Sequence, residues 1–311
     1  MPRDLATATA GLVSEPNEPI RAVSLDDFLQ MVFPPKEQIL APWLPTKGLF
    51  MVFAPRGVGK THFGLGVAYA VALGGDYLCW RAPKPRKVLL IDGEMPAVAL
   101  QERLATIVQN AAKEPPSGDY IRLLSSDLCE FGLPDLATEE GQREIERHLG
   151  DAELVVIDNI STLARSGREN EAESWGQIQT WALNQRRQGR SVLFIHHAGK
   201  GGEQRGTSKR EDVMDTVIKL SRPVDYSPTE GARFNVEFTK SRGFTGSDAE
   251  SFEAHFCDGM WTIRRPEDER STQVISLNGA GMSQRDIAAE LGMGLGSVNR
   301  IIKKARVGGA P

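Results

Sequence analysis

The chain has 311 residues, of which 40% are hydrophobic and 25% are charged. These fractions are those of ordinary globular proteins, so they exclude a wholly disordered chain and a fibrous repeat. The formal net charge of −4 is too close to neutral for nucleic-acid binding through bulk charge. Any such binding must therefore use local basic patches.

The three cysteines, Cys79, Cys129 and Cys257, lie far apart and form no disulfide or zinc-binding pattern. The N-terminal residues contain no apolar stretch of the kind found in signal peptides. No stretch of the chain approaches the ~20 apolar residues of a membrane span. These features predict a cytoplasmic protein that has no membrane partner.

Residues 1–20 consist largely of Ala, Thr, Pro and Glu and predict a flexible N-terminal arm. A core domain is predicted over residues 21–263. Its apolar runs are continuous, as in strands buried on both faces: LFMVF (49–53), KVLLI (87–91), LVVID (154–158) and SVLFI (191–195). Because the segments between them are long enough for crossover helices, we expect an α/β domain with a largely parallel central sheet.

Three later apolar segments, at 213–220, 233–239 and 259–263, follow at hairpin-like spacing and predict antiparallel strands on one side of the sheet. The charged sequence RRPEDER (264–270) predicts a linker. Residues 271–306 predict a small all-α domain of three helices, over 272–278, 283–291 and 295–305. Residues 307–311 form a short tail in this prediction.

The first apolar run is followed by a phosphate-binding P-loop pattern, with a predicted strand before it and a helix after it. Gly57 and Gly59 let backbone N–H groups face a polyphosphate, Lys60 reaches the β- and γ-phosphates, and Thr61 binds Mg²⁺. Ala54 replaces the first glycine of the strict pattern. The alternative is a glycine-rich turn that only caps a helix. The predicted ATP-binding residues are Ala54, Pro55, Arg56, Gly57, Val58, Gly59, Lys60, Thr61 and His62.

Asp158 ends the apolar run LVVID, which places a carboxylate at the carboxyl end of a predicted buried strand. If this strand neighbours the P-loop strand, Asp158 assists Thr61 in holding Mg²⁺. Taken alone, an acid at a strand end is more often an N-cap or turn residue.

Five segments, in this order along the chain, resemble RecA-fold hexameric ATPases, in particular bacterial replicative helicases and their small plasmid- or phage-encoded relatives. The resemblance covers residues 44–246 and implies a RecA-like P-loop domain, bound ATP and Mg²⁺, and a hexameric ring. The segments are Ala54–Thr61, VLLIDGEMPAVALQERL (88–104), LVVIDNISTL (154–163), SVLFIHHAGKG (191–201) and FTKSRGFTG (238–246).

The resemblance also implies catalytic roles for residues outside the P-loop. Glu94 matches the family's water-activating glutamate, and His197, beside His196, matches a sensor of the γ-phosphate. Lys240 and Arg242 match the basic finger that a subunit inserts into its neighbour's nucleotide site. Each residue also has an alternative interpretation. Glu94 could be an acid in the first turn of a helix, His197 a structural histidine, and Lys240 with Arg242 an ordinary exposed strand end.

The loop after His197 is rich in glycine and basic residues, and it predicts contacts with a single-stranded DNA backbone in the pore of the ring. A solvated loop is the alternative, because three acidic residues dilute its positive charge. Asp215, which follows, resembles a family acid of less certain role. The predicted DNA-binding residues of this loop are Lys200, Arg205, Lys209 and Arg210.

The predicted C-terminal helices have helix-turn-helix spacing, with Gly292 at the turn, and resemble the DNA-binding domains of resolvases and transcription regulators. The exposed positions of the last helix suit duplex DNA. A helical hairpin that makes only protein contacts is the alternative. The candidate DNA-binding residues are Ser297, Asn299, Arg300, Lys303 and Lys304.

Together these features favour an ATP-dependent DNA motor, a ring-forming helicase of the replicative type that acts on plasmid, phage or mobile-element DNA. The second hypothesis is a DNA-bound regulatory or recombination ATPase in which ATP switches the oligomeric state without unwinding. The third, a small-molecule P-loop kinase, leaves Lys240, Arg242 and the C-terminal helices without a role.

Overall fold

The computed structural model describes residues 22–165, 171–198, 210–257 and 259–308. The chain divides into two compact units after Pro35. In the described part of the first unit, Ser24 caps the short helix α1 (Leu25–Gln30) by accepting a hydrogen bond from the backbone N–H of Asp27. All other described elements belong to the second unit.

The strands of the second unit are β1 (Gln38–Leu40), β2 (Leu44–Pro45), β3 (Leu49–Ala54), β4 (Asp76–Tyr77), β5 (Trp80–Arg81), β6 (Val88–Asp92), β7 (Ile121–Ser125), β8 (Leu154–Asp158), β9 (Ser191–His197), β10 (Thr216–Ser221), β11 (Arg233–Ser241), β12 (Phe252–Cys257) and β13 (Met260–Arg264). Its helices are α2 (Lys60–Leu73), α3 (Ala97–Asn110), α4 (Glu139–Leu149), α5 (Ile160–Leu163), α6 (Glu171–Arg187), α7 (Pro266–Gly279), α8 (Gln284–Glu290) and α9 (Leu295–Gly308).

Within the described residues, nine strands form one sheet in the order β13-β12-β11-β10-β3-β9-β8-β6-β7. The six strands from β10 to β7 are parallel, and the other three add to the β10 side in antiparallel fashion. The predicted α/β fold with a mostly parallel sheet is confirmed. The edge strand β7 was missed because its side chains are mostly half-buried and its sequence lacks a continuous apolar run.

Two segments differ from their predictions. Residues 213–220 were expected to form an antiparallel strand, yet β10 is parallel to β3, because the connection of residues 198–215 is long enough to return the chain to the amino ends of the strands. The predicted linker 264–270 contains the end of β13 and the start of α7. Pro266 at the first helical position, followed by acidic residues, is a helix-start pattern.

Alternate residues of the parallel strands pack on opposite faces of the sheet. One face is covered by α2 and α3, and the other by α4, α5 and α6. Val156 and Ile195 face α2, so the residues two positions later, Asp158 and His197, face the same side. The carboxyl ends of these strands therefore carry polar side chains to the beginning of α2.

The helices α7, α8 and α9 pack together around an apolar core of Val274, Ile287, Val298 and Ile302. Ser283 caps α8 by accepting a hydrogen bond from the backbone N–H of Asp286 at 3.3 Å. None of the helices in the described ranges has the length and apolar character that crossing a membrane requires.

Candidate active site

The P-loop connects the end of β3 to the first residue of α2. Gly57 and Gly59 have φ values of 77° and 120°, which side chains other than glycine rarely adopt. A Cβ atom on Gly59 would also lie 3.3 Å from the ring of Phe234. The two glycines therefore fix the curl of the loop that leads into the positive end of α2.

Lys60 is 6% exposed, and its Nζ donates hydrogen bonds to the carbonyl oxygens of Ala54 (3.1 Å) and Pro55 (2.9 Å). Burial lowers the pKa of Lys60, and the charges of Asp158 and Glu94 oppose this shift. The ammonium group is thus held over the loop, where it can reach a phosphate.

Thr61 and Asp158 meet at the beginning of α2. The Thr61 hydroxyl donates a hydrogen bond to the Asp158 carboxylate, which is 3% exposed. Burial raises the pKa of Asp158 to about 7, and the nearby charge of Asp92 adds to the increase. A buried carboxylate beside a hydroxyl is a donor set that suits a cation.

Asp92 was not predicted as a site residue, although it ends the run VLLID just as Asp158 ends LVVID. The two aspartates are register partners on β6 and β8. One oxygen of Asp92, Oδ1, accepts hydrogen bonds from the backbone N–H groups of Glu94 (3.1 Å) and Met95 (2.7 Å). Asp92 therefore fixes the turn that carries Glu94. Its buried Oδ2 has no partner among the described residues.

Glu94, Asn159 and His197 form a hydrogen-bonded cluster. Asn159 Nδ2 donates to Glu94 Oε2, and His197 Nε2 lies 3.0 Å from the same oxygen and 3.1 Å from Asn159 Nδ2. The Asn159 Oδ1 atom accepts from the backbone N–H of Thr162 at 3.2 Å. Asn159, which sequence reasoning missed, thus couples the cap of α5 to the orientation of Glu94.

The two adjacent histidines of β9 point to opposite faces of the sheet. His197 lines the P-loop cavity, and burial together with the charge of Lys60 lowers its pKa. His196 Nε2 lies 2.9 Å from Arg210 Nη1 on the other face, where the Arg210 guanidinium packs 5.7 Å from the centre of the Trp175 ring. Of the two histidines, His197 is therefore the one that lies at the P-loop cavity.

A cavity of about 370 Å³ opens above the P-loop. Beside the predicted residues it is lined by Arg103 of α3. Arg222 also contacts the loop, donating from Nη2 to the Gly57 carbonyl at 2.6 Å. Both arginines were missed, because Arg103 stands at a position of segment 88–104 to which no role was assigned and Arg222 lies outside the five segments.

The residues of this cavity fit a magnesium–nucleotide complex. The curled loop and Lys60 suit a polyphosphate, and Thr61 with Asp158 would hold Mg²⁺, which prefers oxygen ligands and keeps several waters. When bound, Mg²⁺ supplies positive charge that offsets the negative charge of the phosphates. In the described part of the chain, no group of three or more His, Cys, Asp or Glu side chains offers a separate metal site.

Comparison with known proteins agrees with this geometry. The model of the AAA_25 family, described as an AAA domain, matches residues 14–203, which is more than half of the chain. The chain belongs to the AAA_25 family.

The fold of this AAA_25 protein is also found in a solved structure, that of the KaiC-like protein PH0186 from the hyperthermophilic archaeon Pyrococcus horikoshii OT3. The two share 16% sequence identity with a TM-score of 0.51, and the match covers 70% of this chain and 90% of the other. The protein is thus a P-loop ATPase of RecA-like fold, and proteins of this family generally bind nucleotide with Mg²⁺.

Lys240 and Arg242 of the AAA_25 protein lie away from its P-loop. Lys240 Nζ donates to the carbonyl oxygens of Glu211 and Asp212, and Arg242 Nη2 donates to the Asp212 carbonyl at 3.2 Å. In the sheet, Lys240 pairs with Val217 near the amino end of β10. The two basic residues therefore lie where the parallel strands begin, at the amino edge of the sheet, whereas the P-loop cavity lies where these strands end, at the carboxyl edge.

The predicted DNA-binding residues fall into three groups. Lys200, Arg205 and Lys209 lie outside the described residues. Arg210 departs from the prediction of an exposed basic contact, because it is 7% exposed and bonded to His196. On α9, which the structure describes as one helix, Asn299, Arg300 and Lys303 are exposed, Ser297 is half-buried, and the side chain of Lys304 lies outside the described set.

Proposed function

We propose that this AAA_25 ATPase is a ring-forming DNA motor, a helicase of the replicative type that acts on plasmid, phage or mobile-element DNA. The supporting observation is the separation of Lys240 and Arg242 from the P-loop of their own chain. A basic pair on the far edge of the sheet is available to a neighbouring copy, so each nucleotide would be hydrolysed between two subunits.

Within one site, Glu94 orients and deprotonates the attacking water. Asn159 donates to Glu94 and keeps its carboxylate directed into the cavity. His197, whose pKa is lowered by burial, lies within hydrogen-bonding distance of Glu94 and senses the γ-phosphate. Lys60 offsets the charge on the transferred phosphoryl group, and Arg242 of the next subunit adds the final cation.

DNA contacts are proposed for two parts of the chain. Lys200, Arg205 and Lys209 follow the sensor strand and would contact single-stranded DNA in the central channel. On α9, Asn299, Arg300 and Lys303 would contact duplex DNA at a recruitment site.

Subunit mixing tests the shared site. A ring built only from Lys60→Ala subunits, or only from Arg242→Ala subunits, is expected to be inactive. In a mixture, some interfaces combine the intact P-loop of an Arg242→Ala subunit with the intact finger of a Lys60→Ala subunit. In a random 1:1 mixture about a quarter of the interfaces are complete, so ATPase activity returns. No recovery at any ratio would count against the ring.

Arg103 provides the matched control, because it lines the cavity of the same chain as Lys60. In a mixture of Lys60→Ala with Arg103→Ala, every subunit carries one of the two changes in its own nucleotide cavity, so no site is complete and mixing does not restore activity. Recovery of activity in this mixture would show that Lys60 and Arg103 act in different sites. It would contradict the proposal that only the finger comes from the neighbouring subunit.

A DNA-bound regulatory ATPase is the second candidate, and the compact three-helix unit with the exposed side chains of Asn299, Arg300 and Lys303 favours it. In this case ATP would switch the oligomeric state without strand separation. A strand-displacement assay with a forked DNA substrate separates the two candidates. A motor displaces the strand only with ATP, whereas a regulator binds a specific duplex and displaces nothing.

A further inference from the structure

A second cavity of about 280 Å³ lies beside the nucleotide cavity, between α2, α3 and the hairpins β4–β5 and β12–β13. Its volume is slightly below the range of ~300–1,000 Å³ that is usual for drug-sized ligands. It can therefore take a molecule of one or two rings. Of the predicted nucleotide-site residues, His62 lines this cavity as well.

Four tyrosine, phenylalanine and tryptophan side chains contribute to the walls of this cavity, beside aliphatic and polar residues. Tyr69 of α2, Tyr77 of β4, and Phe256 and Trp261 of the β12–β13 hairpin line it, together with Ile107 of α3. The Tyr77 and Trp261 rings meet edge to face, with their centres 6.0 Å apart. Flat aromatic walls favour a planar ligand, which gains both apolar burial and ring contacts.

One polar group of the cavity lining is buried without a hydrogen-bond partner among the described residues. Tyr77 is 6% exposed, and its hydroxyl has no hydrogen-bond partner within the described ranges. Burial raises the pKa of this hydroxyl well above its usual value, so it remains a neutral donor. A ligand with one hydrogen-bond acceptor would satisfy it.

The cavity adjoins the nucleotide cavity through His62, which lines both. The His62 ring packs 5.5 Å from the ring centre of Phe256 and 6.3 Å from that of Trp261. His62 also follows Thr61, the residue that would hold Mg²⁺. A ligand against the aromatic walls therefore contacts the group that borders the nucleotide.

We propose that this cavity is a second ligand site, separate from the ATP site, for a neutral planar aromatic molecule of up to two fused rings with one hydrogen-bond acceptor. Occupation of the two sites is coupled through His62. Nucleotide fixes the beginning of α2, so His62 is already ordered when the aromatic ligand arrives, and less conformational freedom is lost. This inference requires nucleotide binding but not the DNA-motor function.

Quinoline is a suitable probe, because it has two fused rings, one acceptor nitrogen and no charge at pH 7.5. Titration of the full chain, followed by calorimetry or ligand-observed NMR, is expected to give a dissociation constant on the order of 1 mM. A non-hydrolysable ATP analogue with Mg²⁺ is expected to tighten quinoline binding by roughly 2–5-fold. The measurement needs no turnover, so it is independent of the ATPase and DNA assays.

Three variants locate the probe. Tyr77→Phe removes the donor and is expected to weaken quinoline binding roughly 5-fold without destabilising the fold, since the hydroxyl has no partner to lose. Ile107→Trp fills the cavity and is expected to abolish binding. Val108→Trp, the same kind of change at an adjacent residue that is 42% exposed, is expected to leave binding unchanged.

Each other outcome overturns part of the proposal. If quinoline does not bind the unaltered chain, or if Tyr77→Phe and Ile107→Trp bind it as tightly as the unaltered chain does, the cavity is not the site. Competition between quinoline and the ATP analogue would assign the cavity to the nucleotide itself. An affinity that the analogue leaves unchanged would exclude coupling through His62.

Discussion

The carboxyl and amino edges of the central sheet, where the parallel strands end and begin, carry two different groups of polar side chains. At the carboxyl edge, the P-loop, Asp158, Glu94 and His197 come together within one chain. At the amino edge, Lys240 and Arg242 donate hydrogen bonds to the backbone carbonyls of residues 211 and 212, away from the P-loop.

The separation follows from the strand register. β11 ends opposite Thr216, which is itself opposite Phe50 of β3, whereas the P-loop begins after Ala54. Four residues of strand span roughly 13 Å, and two intervening strand spacings add roughly 10 Å sideways. The P-loop cavity therefore lies at one edge and Lys240 and Arg242 lie at the other, where we propose that they serve a neighbouring copy.

The largest expected effect is that of Arg242→Ala. If the amino edge completes a neighbour's site, the ATPase rate falls by about 10³-fold while ATP affinity changes little, because the finger acts mainly on charge that develops during transfer. Steady-state ATPase and nucleotide-binding assays measure the two quantities. Arg264→Ala, at a residue whose side chain is 61% exposed, is the matched control. A loss below 10-fold would mean that the two edges do not cooperate.

Glu94→Gln tests the assembled edge and is expected to lower the ATPase rate by about 10²–10³-fold. The amide still accepts a hydrogen bond from Asn159, so the cluster persists and ATP binding is retained. Glu102→Gln, on the exposed side of α3, serves as the control. Residual activity close to that of the unaltered chain would assign water activation to another residue.

Asn159→Ala is expected to cost about 10-fold in rate, because Glu94 loses the donor that orients it. The change also removes the cap of α5, which costs about 1 kcal/mol of stability. Asn159→Asp separates the two effects, since it keeps the capping oxygen but cannot donate to Glu94. Normal ATPase activity in Asn159→Asp would refute the orienting role.

Asp215→Ala is expected to have the smallest effect on catalysis and to act on stability. Asp215 Oδ2 accepts a hydrogen bond from the Leu49 N–H at 3.0 Å, which ties the start of β10 to that of β3. Its loss is expected to cost about 1–3 kcal/mol in a urea-unfolding experiment. Asp215→Asn retains an acceptor oxygen and should cost less; an equal loss would point to a role for the charge itself.

Much of the nucleotide site was predictable from local sequence. The P-loop, Asp158 and the strand LVVID are encoded by short contiguous patterns whose chemistry requires that order of residues. Asp92 was also within reach, since VLLID repeats the pattern of LVVID. Asn159, Arg103 and Arg222 were not, because their functional meaning arises only when separate elements pack against each other.

The choice between His196 and His197 shows most clearly what could not be predicted from the sequence. Both residues end the same apolar run, and only the family resemblance favours His197 over His196 in the sequence. Register decides between them, because neighbouring residues of a strand point to opposite faces and only one face carries α2. The same packing buried Arg210, which the sequence predicted as an exposed DNA contact.

By itself, the sequence determined the α/β class, the mostly parallel sheet and the phosphate-binding loop, since apolar periodicity and glycine placement act over a few residues. The tertiary structure decided which side chains meet. It paired Asp92 with Asp158, placed His197 in the lining of the P-loop cavity, and put Lys240 and Arg242 on the far edge. These outcomes depend on strand order and register, which arise from contacts between residues far apart in the chain.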